Sequence, residues 1–161
     1  MSTQIDDNWP RWIFASVSQH FYNRKQSISE MYIEGQHRDT RTLKDFIELR
    51  MDGPQFTEIS KGMWRIYGEV NILVTAVMDD ENYHRIHQNV GIVAAAFTDI
   101  ELFKYGDGVE DDGSQWGCWK LIQDSRKRQR IDIFHFGIVD VKSKVVQATV
   151  EGHYEINKEV A

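Results

Sequence analysis

The longest alternating run of the chain, Met63 to Val77, limits most strongly how the chain can fold. Six of its apolar residues share one parity: Trp64, Ile66, Val70, Ile72, Val74 and Ala76. Successive side chains of a strand point to opposite faces, so this period of two predicts a long strand with one face against a core. Gly68 lies within the run and is typical of a bulge or a bend.

Six further segments have the length and pattern of strands. They are "ISEMYIEG" from Ile28, "DFIELRMDGP" from Asp45, "IELFKY" from Ile100, "CWKLIQ" from Cys118, "RIDIFHFGIVD" from Arg130 and "KVVQATVEGHYEI" from Lys144. Gly53-Pro54 is predicted to end the second of these strands, because proline cannot donate to a ladder and restricts the residue before it. The last two are predicted to form a hairpin across "DVKS". The predicted sheet is therefore mostly antiparallel.

Two helices are predicted to pack on this sheet. The first runs from about Trp9 to Lys25, with Asn8 as its N-cap and Pro10 in its first turn. The second is the central helix after Met78, whose apolar residues form one narrow stripe: Tyr83, Ile86, Val90, Val93, Ala94 and Phe97. The predicted fold class is α+β, a mostly antiparallel sheet packed against an N-terminal helix and one central helix. At 161 residues, one domain is expected.

The first helix has an apolar side wider than one core-facing stripe requires. Trp9, Trp12, Ile13, Phe14, Val17 and Phe21 cover more than half of its circumference. We therefore expect something besides its own sheet to cover this helix, such as a second subunit or a partner.

Composition excludes several classes of function. A formal net charge of -6 lacks the clustered basic residues that general nucleic-acid binding requires. The single cysteine, Cys118, excludes an internal disulfide and a multi-cysteine zinc site, which favours synthesis in the cytoplasm. The sequence has no signal-peptide pattern and no apolar run long enough to span a bilayer.

Two acidic segments are candidates for metal binding. Asp79, Asp80 and Glu81 precede His84 and His87, but carboxylates in a first turn also stabilise the start of a helix, and no third zinc ligand is indicated. The loop from Tyr105 to Gly117 contains the acidic residues Asp107, Glu110, Asp111 and Asp112. Its spacing does not fit an EF-hand, so it is predicted to be a mobile, solvated loop that can act, with Trp116 and Trp119, as a partner-docking tip. No metal or cofactor is predicted.

No pattern in the chain indicates catalysis. The basic cluster "SRKRQR", Ser125 to Arg130, is predicted to be an exposed connection, and Cys118 a small buried residue without an activating neighbour. His135 and His153 are predicted to form a buried, hydrogen-bonded pair on facing strands. The chain has neither a nucleophile elbow nor a phosphate-binding loop, so an enzyme is not predicted.

The strand from Ile131 to Val139 is apolar on both faces. Phe134, Phe136 and Ile138 have one parity, and Ile131, Ile133 and Val139 have the other. Such a strand is expected to be covered on both sides by helices or by another subunit. The predicted subunit or partner contacts are Trp9, Trp12, Phe14, Phe21, Asp107, Glu110, Asp111, Asp112, Trp116, Phe134 and Phe136.

The order of these elements resembles the tail terminator proteins of long-tailed bacteriophages, in particular flexible-tailed ones. The resemblance is carried by the first helix, the strand ending in "MDGP", the strand "GMWRIYGEVNILVTAV", the helix "ENYHRIHQNVGIVAAAF" and the closing strand "VVQATVEGHYEI". It covers Trp9 to Ile156, through patterns of hydrophobicity and glycine rather than reactive residues.

This resemblance implies a structural protein of the virion, made in the host cytoplasm and located at the head-proximal end of the tail. Such a subunit forms a hexameric ring that caps the tail tube, ends its polymerisation and presents a surface to the head-completion proteins of the neck. DNA passes through the ring without sequence-specific binding. The resemblance implies no catalysis, no cofactor and no contact with a membrane.

A second hypothesis is a cone-shaped α+β domain that binds a small molecule or catalyses a reaction. It requires an apolar pocket between helix and sheet, which Trp64, Phe134 and Tyr154 would line. His135 or His153 would then act as an acid or base.

Overall fold

The computed structural model describes residues 4–36, 43–78, 84–122 and 128–160. Its first helix, α1, spans Trp9–Arg24, and the central helix, α2, spans His84–Ala96. The strands are β1 (Met31–Ile33), β2 (Asp45–Ser60), β3 (Met63–Val77), β4 (Ile100–Phe103), β5 (Gln115–Ile122), β6 (Asp132–Asp140) and β7 (Val145–Glu159). The predicted α+β class, with a sheet packed against these two helices, is confirmed.

The strands form one curled, mostly antiparallel sheet. Their order is β1-β2-β3-β7-β5-β4, and β6 lies beside the first half of β7 on the same side as β5. β1 is parallel to β2, whereas the other neighbours run antiparallel. The predicted hairpin of β6 and β7 is confirmed, with Asp140 opposite Val145 at its closed end.

The core lies between the helices and one face of the sheet. β3 and β7 pair over their full lengths and place alternate residues on that face, as the period of two predicts. The fully buried members include Ile66, Val70, Ile72 and Val74 from β3, with Val146, Ala148, Val150 and Tyr154 from β7. α1 and α2 cover them with Ile13, Val17, Phe21, Ile86, Val90 and Val93.

Gly68 makes room for an indole instead of producing a bulge in β3. The ladder between β3 and β7 continues through Gly68, which lies opposite Tyr154. A Cβ on Gly68 would lie 2.6 Å from the ring of Trp119, which is buried and donates a hydrogen bond of 3.1 Å from Nε1 to the carbonyl of Ile66. The bulge expected near Gly68 lies in the neighbouring strand, because Gly53 and Pro54 of β2 both stand against Gly68, while β3 itself continues without an extra residue.

Gly53-Pro54 does not end β2, contrary to the prediction. The register between β2 and β3 shifts between Asp52 and Gln55, so the proline lies in a bulge and its missing N–H costs no ladder bond. β2 resumes at Gln55, opposite Tyr67, and continues to Ser60. β2 is thereby long enough to extend well beyond β1.

Candidate assembly surface

The segment from Ile131 to Val141, which contains strand β6, has most of the exposed large hydrophobic residues on the described part of the chain. Strand β6 hydrogen-bonds to β7 along one edge, and no described segment pairs with its other edge. The segment from Ile131 to Val141 contains seven of the twelve large hydrophobic residues that the structure exposes. They are Ile131, Ile133, Phe134, Phe136, Ile138, Val139 and Val141. Phe134 and Phe136 are 50% and 56% exposed, so their predicted role in partner contacts is compatible with their position.

A bulge next to Gly137 interrupts the alternation of β6. His135 lies opposite Ala148 and Gly137 opposite Gln147, which leaves Phe136 as the extra residue. Gly137 has a φ of 75°, a conformation that glycine adopts without strain.

Because of the bulge, the faces that the sequence predicted for this strand are partly wrong. Phe134 lies opposite Thr149, on the outer face of the sheet, whereas Ile138 lies opposite Val146, on the helix side. Phe134 and Ile138 therefore point to opposite faces of the sheet. The sequence, read without a bulge, predicted that they share one face.

The wide apolar side of α1 is covered by the chain itself. Trp9 and Trp12 are each 3% exposed and Phe21 is 1% exposed. The ring of Trp116 lies 5.1 Å from that of Trp9 and 5.6 Å from that of Trp12, and Phe97 packs on Phe21 at 4.9 Å.

The predicted contacts on α1 therefore need correction. Trp9, Trp12 and Phe21 have no surface to offer a partner in this conformation, and Trp116 packs on two of them. Phe14 remains 37% exposed and is available for contact.

The acidic loop is anchored to α1 through one carboxylate. Asp111 accepts hydrogen bonds from both terminal nitrogens of Arg11, at 2.6 and 3.0 Å, from Trp12 Nε1 at 2.6 Å and from the backbone N–H of Gly108 at 2.9 Å. The hydrogen bond from Arg11, followed by that from Trp12, holds the pKa of Asp111 well below its usual range. Its side chain is 1% exposed, so the prediction that this whole loop is solvated is wrong.

The other acidic residues of the loop lie at its surface. Glu110 accepts a hydrogen bond of 3.0 Å from Nδ2 of Asn8. Asn8 does not cap α1 with its side chain as predicted, because its Oδ1 accepts a hydrogen bond of 2.6 Å from Arg11. Asp112 accepts hydrogen bonds from the backbone and hydroxyl of Ser114, which lower its pKa. Asp107 is exposed and available to a partner.

The two histidines predicted to pair do not meet. His135 is exposed on β6, and its ring lies 5.0 Å from that of His87 on α2. His153 instead lies beside Tyr67, with 2.7 Å between its Nδ1 and the tyrosine hydroxyl. No described residues form a group of three or more metal-binding side chains. The candidate ligands Asp79, Asp80 and Glu81, whose favoured role is to stabilise the start of the helix, lie outside the described residues, as do Ser125, Arg126 and Lys127 of the basic cluster.

The pocket required by the small-molecule hypothesis does not form from its predicted residues. Trp64 lies opposite Lys158 and Phe134 opposite Thr149, so they are nine positions apart along β7, roughly 30 Å at about 3.3 Å per residue. Tyr154 is buried and donates its hydroxyl hydrogen bond to the carbonyl of Thr98 at 3.0 Å.

A different cleft, open and polar, lies between the N-terminal segment and the acidic loop. It has a volume of about 1110 Å³. Lysines, carboxylates and indoles line it together, and they include Asp6, Asp7, Lys104, Asp112, Trp116 and Lys158. Lys158 already donates a hydrogen bond of 2.6 Å to the carbonyl of Trp116.

No protein-family model matches the chain, and no curated protein matches its sequence. No helix within the described ranges is long and apolar enough to cross a membrane.

Proposed function

We propose that this chain is a structural subunit similar to the tail terminator proteins of long-tailed bacteriophages. Six copies would form a ring on the completed tail tube, stop its polymerisation and present a surface to the head-completion proteins of the neck. DNA would pass through the lumen without sequence-specific contacts. The subunit would act through its surfaces and not through a reactive group.

The observation that supports this proposal is the exposed strand β6. Isolated exposed apolar residues are ordinary, but the segment from Ile131 to Val141 exposes seven of them, divided between the two faces of β6, and monomeric proteins rarely leave such a concentration uncovered. A free sheet edge with apolar side chains is also a template for association. Both properties suit a subunit that buries this strand when it assembles.

The overall charge supports the same function. A formal charge of -6 does not favour tight contact with phosphates, so DNA could slide past such a subunit. The exposed residues of the acidic loop, Asp107, Glu110 and Asp112, provide a charged surface for a neighbouring protein.

Electron microscopy of phage particles that lack this protein tests the proposal. Abnormally long tail tubes, or tails of normal length that do not join heads, are expected. Tails of normal length that join heads normally would contradict the proposal.

Complementation with variants links the phenotype to β6. A chain with both Phe134→Ser and Phe136→Ser is expected to fold but not to restore normal tails. The matched control is Tyr22→Ser, because Tyr22 is 51% exposed but lies on α1. This variant should restore normal tails.

A further inference from the structure

The outer edge of strand β1 is occupied by hydrogen bonds from residues next to it in the sequence. The backbone N–H of Met31 donates to Glu30 Oε1 at 3.2 Å, and that of Ile33 donates to Gln36 Oε1 at 3.0 Å. The carbonyl of Ile33 also accepts from the backbone N–H of Gln36 at 2.9 Å. An incoming strand would have to displace these bonds, so this edge is protected against pairing.

Strand β4 is protected in a similar way by α1. The backbone N–H of Phe103 donates to Ser16 Oγ at 2.9 Å, and Ser16 is buried. Two other edges differ: the outer edge of β6, and the part of β2 from Met51 to Ser60 that extends beyond β1. No described segment donates a hydrogen bond to either of these two edges or accepts one from them.

We propose that the outer edge of β6 in one copy pairs with the outer edge of β2, Met51 to Ser60, in a second copy. The pairing is antiparallel and extends the sheet from subunit to subunit. It rests on the proposed function, because it names the contact that would hold the ring together.

The strand directions permit this pairing. β2, β3, β7 and β6 are consecutive antiparallel neighbours, so β2 and β6 run in opposite directions within one subunit. If a second copy has the same orientation and is displaced sideways along the sheet, its β2 lies beside the β6 of the first copy and runs antiparallel to it. The contact is head-to-tail, and such contacts form a ring when the last copy meets the first.

The two edges lie at different heights in the sheet. β6 lies beside Val145 to Glu151 of β7. The free part of β2 pairs with Met63 to Val70 of β3, which lie opposite the other half of β7, Gly152 to Glu159. Pairing them therefore requires a stagger along the strands. Closed sheets have this property, because their strands are tilted relative to the axis.

The charges of the two edges are complementary. The described segment 128–144 has four basic residues, Arg128, Arg130, Lys142 and Lys144, and two acidic ones, Asp132 and Asp140, for a formal charge of +2. The segment from Met51 to Ser60 has two acidic residues, Asp52 and Glu58, and no basic one, for a formal charge of -2. In a chain of net charge -6, the segment 128–144 is thus a basic exception, and opposite charges favour this contact over one between two copies of that segment.

The apolar side chains beside this edge also favour the contact. The seven exposed ones from Ile131 to Val141 lie on both faces of the sheet next to the free edge of β6, and a second copy paired there would cover part of them.

Thiol crosslinking of the full-length chain tests the contact. All variants have Cys118→Ser, and Phe134→Cys or Thr57→Cys is then added, because both positions lie on the outer face of the sheet. The two variants are mixed at the highest concentration that the protein reaches and treated with a short bismaleimide. A crosslinked dimer of twice the 18.9 kDa subunit mass is expected from the mixture and not from either variant alone. A chain with both cysteines should give a ladder of products that ends at the hexamer.

The controls separate this contact from other arrangements. Tyr22→Cys, at a comparably exposed position of α1, should give no dimer with either variant. Dimers from Phe134→Cys alone would show that two hairpins pair with each other and would overturn the proposal, as would the absence of dimers from the mixture. Rings without this crosslink would overturn the contact and leave the proposed function intact. If phage that lack the protein have normal tails but the crosslink forms, the proposed function would be overturned and the contact between copies would stand.

Discussion

Trp12 donates a hydrogen bond of 2.6 Å from its indole nitrogen to Asp111, which is 99 residues away in the sequence. This bond, together with those from Arg11, fixes the middle of the acidic loop to the first turns of α1. The loop therefore covers the aromatic side of α1, and the acidic residues around Asp111 are presented at a defined position on the surface.

We expect Asp111→Asn to destabilise the protein and to release the loop. An amide keeps the shape of the carboxylate but loses its charge-assisted hydrogen bonds from Arg11. The midpoint of thermal unfolding should fall by several degrees, and hydrogen exchange of residues 106–114 should accelerate. Asp107→Asn is the matched control, because Asp107 is exposed in the same loop, and it should leave both measurements unchanged. Equal effects of the two substitutions would contradict this account.

The same carboxylate predicts a dependence of stability on pH. The pKa of Asp111 is lowered below its ordinary value of 3.8, first by the hydrogen bond from Arg11. A lowered pKa in the folded state means that the stabilisation is complete above pH 3.8 and is lost as the pH falls through the folded pKa. The difference in unfolding midpoint between the wild-type protein and Asp111→Asn should therefore be constant near pH 7 and shrink below pH 3.8. An unchanged difference in acid would rule out this linkage.

Much of the fold could be predicted because it is encoded in local patterns. The alternation of Met63 to Val77 and the stripe of Val90 and Val93 depend on neighbours within a few residues, and β3 and α2 follow them. The faces of β6 could not be predicted, because the bulge at Gly137 depends on how that strand meets β7.

The surface was harder to predict than the fold, since it depends on contacts that are distant in sequence. Nothing near Trp12 in the sequence indicates that Asp111 and Trp116 cover it. The network of Asp45 was missed for the same reason: this buried carboxylate accepts hydrogen bonds from Ser29 and Asn89, which belong to separate segments. The exposed strand β6 was recognised as unusual because its excess of apolar residues is a local property.

A pair of glycine substitutions tests the packing of the core. We expect Gly68→Ala to destabilise the protein by about 1–3 kcal/mol, because its new methyl group would overlap the buried ring of Trp119. Gly91→Ala should stabilise it by about 0.5–1 kcal/mol, because Gly91 lies within α2, has open space around it and alanine favours a helix. Urea denaturation measures both. A neutral Gly68→Ala would show that Trp119 does not pack on β3 as described.

A substitution at Glu151 is expected to stabilise the protein at neutral pH. Partial burial, and then the nearby charge of Glu69, raise the pKa of Glu151 above its ordinary value of 4.5. With a raised pKa, its stabilising contribution is present below pH 4.5 and is lost as the pH rises through the folded pKa. Glu151→Gln removes the charge, and the oxygen of glutamine can still accept the 2.7 Å hydrogen bond from Asn71.

Denaturation at two pH values measures this effect. At pH 7 the Glu151→Gln variant should exceed the wild-type free energy of unfolding by about 0.5 kcal/mol, and the difference should disappear near pH 4. Glu155→Gln is the control on the same strand and face. Its side chain is 35% exposed and lies 3.4 Å from Arg65, so its loss should have no stabilising effect at either pH. A stabilising Glu155→Gln would show that the gain comes from the general loss of negative charge.

Substitutions on β6 should separate the exposed surface from the stability of the fold. Because Phe134 and Phe136 are at least half exposed, replacing both with serine should change the free energy of unfolding by less than about 1 kcal/mol. The same change should strongly reduce the fluorescence of a dye that binds exposed apolar surface. Val150→Ala, in the buried face of the adjacent strand β7, is expected to do the opposite, with a loss of about 1–3 kcal/mol and unchanged dye binding in the folded protein. A large loss of stability in the double serine variant would mean that β6 belongs to the core of the subunit, which would remove the physical basis for its role in assembly.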